Sequence, residues 1–204
     1  YGGVDICICA SGIGCFYSLS SDSDIVGFMK RRIKRLAPTY VVFILFWLAF
    51  QYRMGNFGFQ MAVGNLLALQ DLTGNGNAFN WYISAIFLFY ILAPYFMAIV
   101  KRASAVSNIL FLLFLLVCSV PFWGADAYIV AVTRLPGFFA GMVFADMCRK
   151  DKRMTTGFGI GMIAVFLLGV AVLLVSNDIA PEYLWSYGLH WYPFVLITPP
   201  LCIA

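Results

Sequence analysis

Seven apolar runs, each bounded by charged or turn-forming residues, dominate the sequence. They fall at about Val4 to Leu19, Leu36 to Tyr52, Trp81 to Val100, Val106 to Trp123, Tyr128 to Ala145, Gly157 to Val175 and Tyr183 to Ala204. Such lengths suit tilted helices, since about 20 residues cross a hydrocarbon core of about 30 Å. In hydrocarbon every backbone N–H and C=O must be satisfied within the spanning structure, and the alternating ten-residue segments of a β-barrel are missing from this sequence. The reading is an all-α fold, a polytopic transmembrane helix bundle of about seven spans. Composition closes off the alternatives: charged residues make up 11% and hydrophobic residues 63% of the 204 positions, where a soluble domain carries about 25% charge. So few charges cannot cover a water-facing surface. That excludes a soluble globule, a disordered chain and a nucleic-acid reader, and makes the lipid bilayer the first partner.

One apolar piece, Phe57 to Leu69, is too short to span comfortably. The basic residues decide its topology, because cytoplasmic loops retain Lys and Arg. Eleven of the thirteen lie in three loops: Lys30, Arg31, Arg32, Lys34 and Arg35; Lys101 and Arg102; and Arg149, Lys150, Lys152 and Arg153. If 57–69 does not cross, all three loops share one side, and two of the opposite loops, carrying Asp126, or Asp178 and Glu182, have no basic residue. The segment is therefore predicted to be re-entrant or interfacial, followed by the turn-rich Thr73-Gly74-Asn75-Gly76-Asn77 on the non-cytoplasmic side.

The sequence opens at Tyr1 and stops at Ala204 inside an apolar run, so the expectation is a single membrane domain over 1–204, truncated at both ends. No internal repeat or linker divides it. Cys7, Cys9, Cys15, Cys118, Cys148 and Cys202 lie in or beside apolar runs without metal-ligand spacing, and read as small buried hydrophobes rather than a metal site. Gly137 and Gly141, and again Gly157 and Gly161, have the small-xxx-small spacing that lets helix backbones approach.

Cations are the candidate functional groups. Five fall in six positions at Lys30-Arg31-Arg32-Ile33-Lys34-Arg35, ahead of Pro38, a residue suited to the first turn of a helix. At helical spacing Arg31 and Arg35 share a face with Arg32 beside them. Guanidinium forks suit phosphates, so a phosphorylated cytosolic ligand such as a nucleotide-bearing thioester fits there; contact with anionic lipid heads is the other reading. Arg134 sits inside the run Tyr128 to Ala145, where an arginine costs about 2.5–3.5 kcal/mol on insertion scales and should face a polar cavity or a partner, or snorkel to the surface. Asp5 is a possible partner. His190, the single histidine, lies among Trp185, Tyr187, Trp191 and Tyr192 and reads first as part of an interfacial aromatic belt, second as a base. Ser11, before Gly12, suits packing better than nucleophilic attack, because no basic partner is evident.

Several of these pieces in order resemble the acyltransferase 3 family of integral-membrane O-acyltransferases. Gly3-Val4-Asp5-Ile6 leading to Ser11-Gly12 is similar to the family's second span. Phe28, Arg31, Arg32, Arg35, Leu36, Pro38 and Tyr40 resemble its arginine-rich loop entering the third span. Trp81, Phe89, Tyr90 and Pro94, and then Arg134, Phe138 and Gly141, resemble two later segments. There are two departures. The span carrying the family's proposed catalytic histidine would lie upstream of Gly3, and His190 matches neither that position nor the family's later Tyr-Leu-His segment. Ile86 stands where many members carry a glutamate.

The resemblance implies an acyltransferase acting on groups other than amino-acyl groups, moving an acyl group, typically acetyl, from a cytoplasmic acyl-CoA to a hydroxyl of a surface polysaccharide or lipid-linked glycan. It implies O-acetylation at a bacterial cytoplasmic membrane, with acyl-CoA as co-substrate and no bound cofactor or metal. Arg31, Arg32 and Arg35 would hold the donor's phosphates, Arg134 would position the substrate, and Trp81 with Tyr90 would line its path. The catalytic base would lie outside the sequence, which on that account is expected to be inactive alone. A polytopic transporter or flippase for a glycan-related substrate is the competing class, since a central Arg and Gly/Pro-interrupted helices also line transport pathways.

Overall fold

The computed structural model describes residues 2–22, 24–68, 81–119, 131–150 and 156–179, and these form an all-α membrane helix bundle. In chain order the elements are α1 (Gly2–Ser21), α2 (Ile25–Arg53), α3 (Phe59–Leu66), α4 (Trp81–Arg102), α5 (Ala105–Ser119), a 3₁₀ turn (Ala131–Arg134), α6 (Leu135–Arg149) and α7 (Thr156–Ile179). Among the described residues α1, α2 and α4 are long and apolar enough to cross a membrane, and α5 and α7 carry shorter apolar segments. The run Tyr183 to Ala204, His190 and the turn 73–77 lie outside the described residues.

The first helical hairpin turns on two aspartates. The backbone N–H of Asp24 donates to Asp22 Oδ1, and the Asp24 side chain caps α2 by accepting from the N–H of Val26, each at 3.0 Å. Capping here starts α2 eleven residues before Leu36, and this corrects the sequence reading, which put the five cations in a loop and Pro38 in a first helical turn. Lys and Arg are good helix formers, so a capped helix runs through them without penalty. Pro38 then sits inside α2, a position membrane helices tolerate at the loss of one backbone hydrogen bond. At 1.5 Å per residue the 29-residue α2 is about 43 Å long, more than the hydrocarbon thickness, so its basic end reaches the headgroup zone.

α3 has eight residues, about 12 Å of helix, and cannot cross. Instead it folds back on α2: the Tyr40 hydroxyl donates to the carbonyl oxygen of Asn65 at the end of α3. Tyr40 lies thirteen residues before the end of α2, so the returning chain descends about 20 Å along it. Ala62 and Ala68 bury against Tyr40, Ile44 and Leu48 of α2, with Ile83 and Phe87 of α4 closing the cluster. The segment 57–69 is expected to be re-entrant or interfacial, and α3 accords with a piece that does not cross. Tyr40→Phe should therefore cost about 1 kcal/mol and loosen α3 specifically; maleimide labelling of a cysteine placed at buried Ala62 would rise, and unchanged labelling would remove the tether.

The principal core joins α1, α4, α5 and α6 with the start of α2. Phenylalanines build it: ring centroids of Phe89 and Phe138 are 5.1 Å apart, those of Phe96 and Phe139 5.3 Å, and those of Phe111 and Phe139 4.9 Å. α1 and α6 cross in backbone contact. A methyl group on Gly12 would collide with the Phe138 carbonyl oxygen, and one on Gly141 with the Cys9 carbonyl oxygen. Gly141 thus has the packing role its spacing suggested, with Gly12 as its counterpart. Nothing lies within 4 Å of a methyl built on Gly157 or Gly161, so that pair makes no such contact among the described residues.

Contacts along these helices set their directions. Asp5 meets Arg134, which stands over Trp81, at one end; Gly12 lies against Phe138 and Met142 further along; and Gly14 meets Arg32, which covers Tyr90, nearer the other end. α1, α4 and α6 therefore run parallel. Their C-terminal ends, leading to the basic start of α2, to Lys101-Arg102 and to Arg149-Lys150, point to one side of the bundle. Ala103 and Ser104 make the corner between α4 and α5, where Ser104 Oγ accepts from the N–H of Ser107 at 3.1 Å.

Candidate functional site

Two guanidinium groups are held inside the bundle, each over an aromatic ring of α4. The first is Arg134. The sequence reading set it within a continuous span, but the structure puts it at a break, the last residue of the 3₁₀ turn and the N-cap of α6. Pro136 in the first turn explains the break, since its fixed φ suits a helix start and its missing N–H is not needed there. Arg134 does not snorkel: it is 2% exposed, with Nε 3.0 Å from Oδ1 of Asp5, itself 1% exposed. Its Cζ stands 5.6 Å from the centre of the Trp81 ring. Asp5 is thus the buried partner, and the pair is neutral as a unit, the form in which opposite charges are tolerated away from water.

The second is Arg32. Its Nη2 donates to the Gly14 carbonyl oxygen at 2.9 Å, and its Cζ lies 5.5 Å from the Phe28 ring centre and 5.4 Å from that of Tyr90. Phe28 and Tyr90 meet nearly edge to face, at 6.3 Å and 80°, and form the corner in which the guanidinium sits. Among the described residues no carboxylate pairs with Arg32. A carbonyl dipole and two ring quadrupoles stabilise the cation without neutralising it, so an anionic group brought here would gain a charge-assisted contact.

The two stations are separated along the helices. Asp5 and Gly14 are nine residues apart on α1, as are Trp81 and Tyr90 on α4, which gives about 13.5 Å in each case. Between them the Ser11 side chain faces the hydroxyls of Tyr82 and Tyr90, and Tyr90 also faces Arg32. α1 and α4 are the elements common to both stations.

The other arginines of the basic segment are not part of this arrangement. Arg31 is exposed, with Nη1 3.2 Å from Oδ2 of Asp22, and Arg35 is exposed on the outer side of α2. The N–H of Asp24, and secondarily Arg31, hold the Asp22 carboxyl below the usual carboxylate value. Of the residues singled out in the sequence, Arg32 and Tyr90 come together, as do Arg134 and Trp81; Arg31 and Arg35 stand apart from both. Ile86 is buried in the core. Sequence reasoning missed Tyr82 and the Gly14 carbonyl. Tyr82, beside Trp81 at the start of α4, carried no distinguishing signal, and a backbone acceptor carries none by nature. Among the described residues no cluster of His, Cys, Asp or Glu could hold a metal ion.

The stretches that carry the resemblance thus meet in three dimensions: the Asp5 to Gly12 stretch, the arginine segment, the Trp81 to Tyr90 helix and the Arg134 to Gly141 segment. No curated protein and no solved structure matches the chain. The family model for an acyltransferase domain matches residues 3–204. This chain belongs to the acyltransferase 3 family and is a membrane acyltransferase.

Proposed function

We propose that the protein transfers an acyl group, acetyl in the simplest case, from an acyl-CoA on the basic side of the bundle to a hydroxyl of a surface polysaccharide or glycolipid. The observation that carries the donor assignment is Arg32, a half-buried cation without a carboxylate partner among the described residues, set in an aromatic corner at the side where the basic segments gather. Positively charged loops mark the cytoplasmic face, and acyl-CoA is a cytoplasmic polyanion. On this reading Arg32 takes a donor phosphate oxygen, and the hydroxyls of Tyr90, Ser11 and Tyr82 offer the polar atoms along which a pantetheine arm or a sugar passes. Arg134, fixed by Asp5 and Trp81, positions the substrate at the far station.

The reaction breaks the thioester C–S bond and forms an ester C–O bond. CoA leaves as the thiol, and the acceptor hydroxyl gives its proton to a general base. The resemblance assigns that base to a histidine in a span upstream of Gly3, and not to His190. Trp81 and Tyr90 serve here as platforms that orient the two guanidinium groups.

Free-thiol release from acetyl-CoA, measured on the full-length protein in native membranes, tests the donor site. Arg32→Ala should raise the KM for acetyl-CoA about 10- to 100-fold, the range of one charge-assisted hydrogen bond, with Arg32→Lys intermediate and insertion unchanged. An unaltered KM in Arg32→Ala would remove Arg32 from donor binding. Glycan mass spectrometry should show the ester mark appear only when the thioester is consumed; movement of glycan without covalent change would instead indicate transport.

A further inference from the structure

The outward face of α2 combines two properties that its inward face lacks. Arg31, Lys34 and Arg35 are exposed, and two to three turns further on so are Val42, Leu45 and Phe46. At 100° per residue, Arg31, Lys34, Arg35, Val42, Leu45 and Phe46 fall within about 120° of one another, a single stripe on the helix. Arg32 is outside that stripe, turned toward Gly14, Phe28 and Tyr90. From Arg35 to Leu45 the helix rises about 15 Å, half of a hydrocarbon core about 30 Å thick. The stripe therefore matches one leaflet in both chemistry and length, cations at headgroup depth and branched or aromatic apolar side chains at acyl-chain depth. Arg31 shares its charge with Asp22, whereas among the described residues neither Lys34 nor Arg35 has an ion-pair partner.

We propose that this stripe binds an anionic phospholipid, its phosphate held by Lys34 and Arg35 with Arg31 at the edge, and its acyl chain lying along Val42, Leu45 and Phe46. The occupant is a bilayer lipid rather than the acyl donor. The stripe opens to the surrounding lipid, away from the interior where Arg32, Ser11 and Tyr82 lie, and a thioester seated on it would be separated from those groups by the body of α2. The site divides the basic segment into an inward cation for the reaction and outward cations for the membrane.

The test uses the full-length protein in nanodiscs of equal phosphatidylcholine and phosphatidylglycerol, with retained lipids counted by native mass spectrometry. The unmodified protein should retain phosphatidylglycerol preferentially. The Lys34→Gln/Arg35→Gln variant should lose that preference by about fivefold for each cation removed, and Lys34→Gln alone, which leaves every arginine in place, should lose about fivefold while thiol release at saturating acetyl-CoA stays at its starting rate. On the unmodified protein, raising the salt should weaken retention, because the contact is exposed and screened. Equal retention of the two lipids, an unchanged preference in the double variant, or displacement of bound phosphatidylglycerol by added acetyl-CoA would each overturn the proposal; the last would return these cations to the donor.

Discussion

Asp5→Ala should destabilise the folded protein by about 3–5 kcal/mol, the cost of leaving a buried charge without its partner. Asp5 and Arg134 are almost wholly removed from solvent, so neither can relax toward water when the other is lost. Arg134→Ala should be comparably harmful and should also uncover the Trp81 ring. The informative variant is the double replacement Asp5→Leu/Arg134→Met. Exchanging a buried ion pair for apolar groups of similar volume is often neutral or better, so the double variant should recover most of the stability lost by either single one. That non-additivity, measured as thermal unfolding in detergent, is the coupling energy of the pair. If Arg134 positions substrate, acyl transfer should not recover with it. Additive single effects would show that the pair is not a unit, and recovered transfer would reduce it to a structural role.

The second large effect concerns the crossing of α1 and α6. Gly12→Leu or Gly141→Leu should abolish the native bundle, since each puts a side chain against a backbone carbonyl that cannot move aside. The alanine variants should cost about 1–3 kcal/mol through overpacking, net of the roughly 1 kcal/mol that Ala gains over Gly inside a helix. Gly161→Ala is the matched control: among the described residues nothing stands within 4 Å of its added methyl, so the propensity gain remains, and the melting temperature should hold or rise slightly. Equal tolerance of alanine at Gly12, Gly141 and Gly161 would argue against the close crossing.

Hydropathy made the helical spans legible, because the bilayer imposes length and apolarity on any segment that crosses it. The short piece 57–69 was legible by the same rule in reverse, and the common side of the basic loops followed from charge alone. Partnerships between helices were less accessible. Asp5 and Arg134 are 129 positions apart, and nothing in one sequence fixes the register that brings them to 3.0 Å. Gly141 was visible from its spacing, yet Gly157 and Gly161 show the same spacing and make no such contact among the described residues. Helical spacing set Arg32 beside Arg31 and Arg35, but which of them turns inward depends on how α2 packs on α1 and α4, and spacing within one segment does not carry that. The cap at Asp24 sets the start of α2, and a single Asp is a weak signal among several near the end of a helix.

Because one unbroken helix, α1, presents Asp5 to Arg134 and the Gly14 carbonyl to Arg32, the relation between the two guanidinium groups is stored as a residue count. One residue inserted between Asp5 and Gly14 would turn one station against the other by about 100° and lengthen their separation by about 1.5 Å. The intervening helix would remain just as apolar and just as long-lived in the bilayer. Such a change would be silent to hydropathy and to composition, yet it would uncouple the two ends of the protein. The nine-residue interval is therefore under a stricter constraint than the identity of most side chains that fill it.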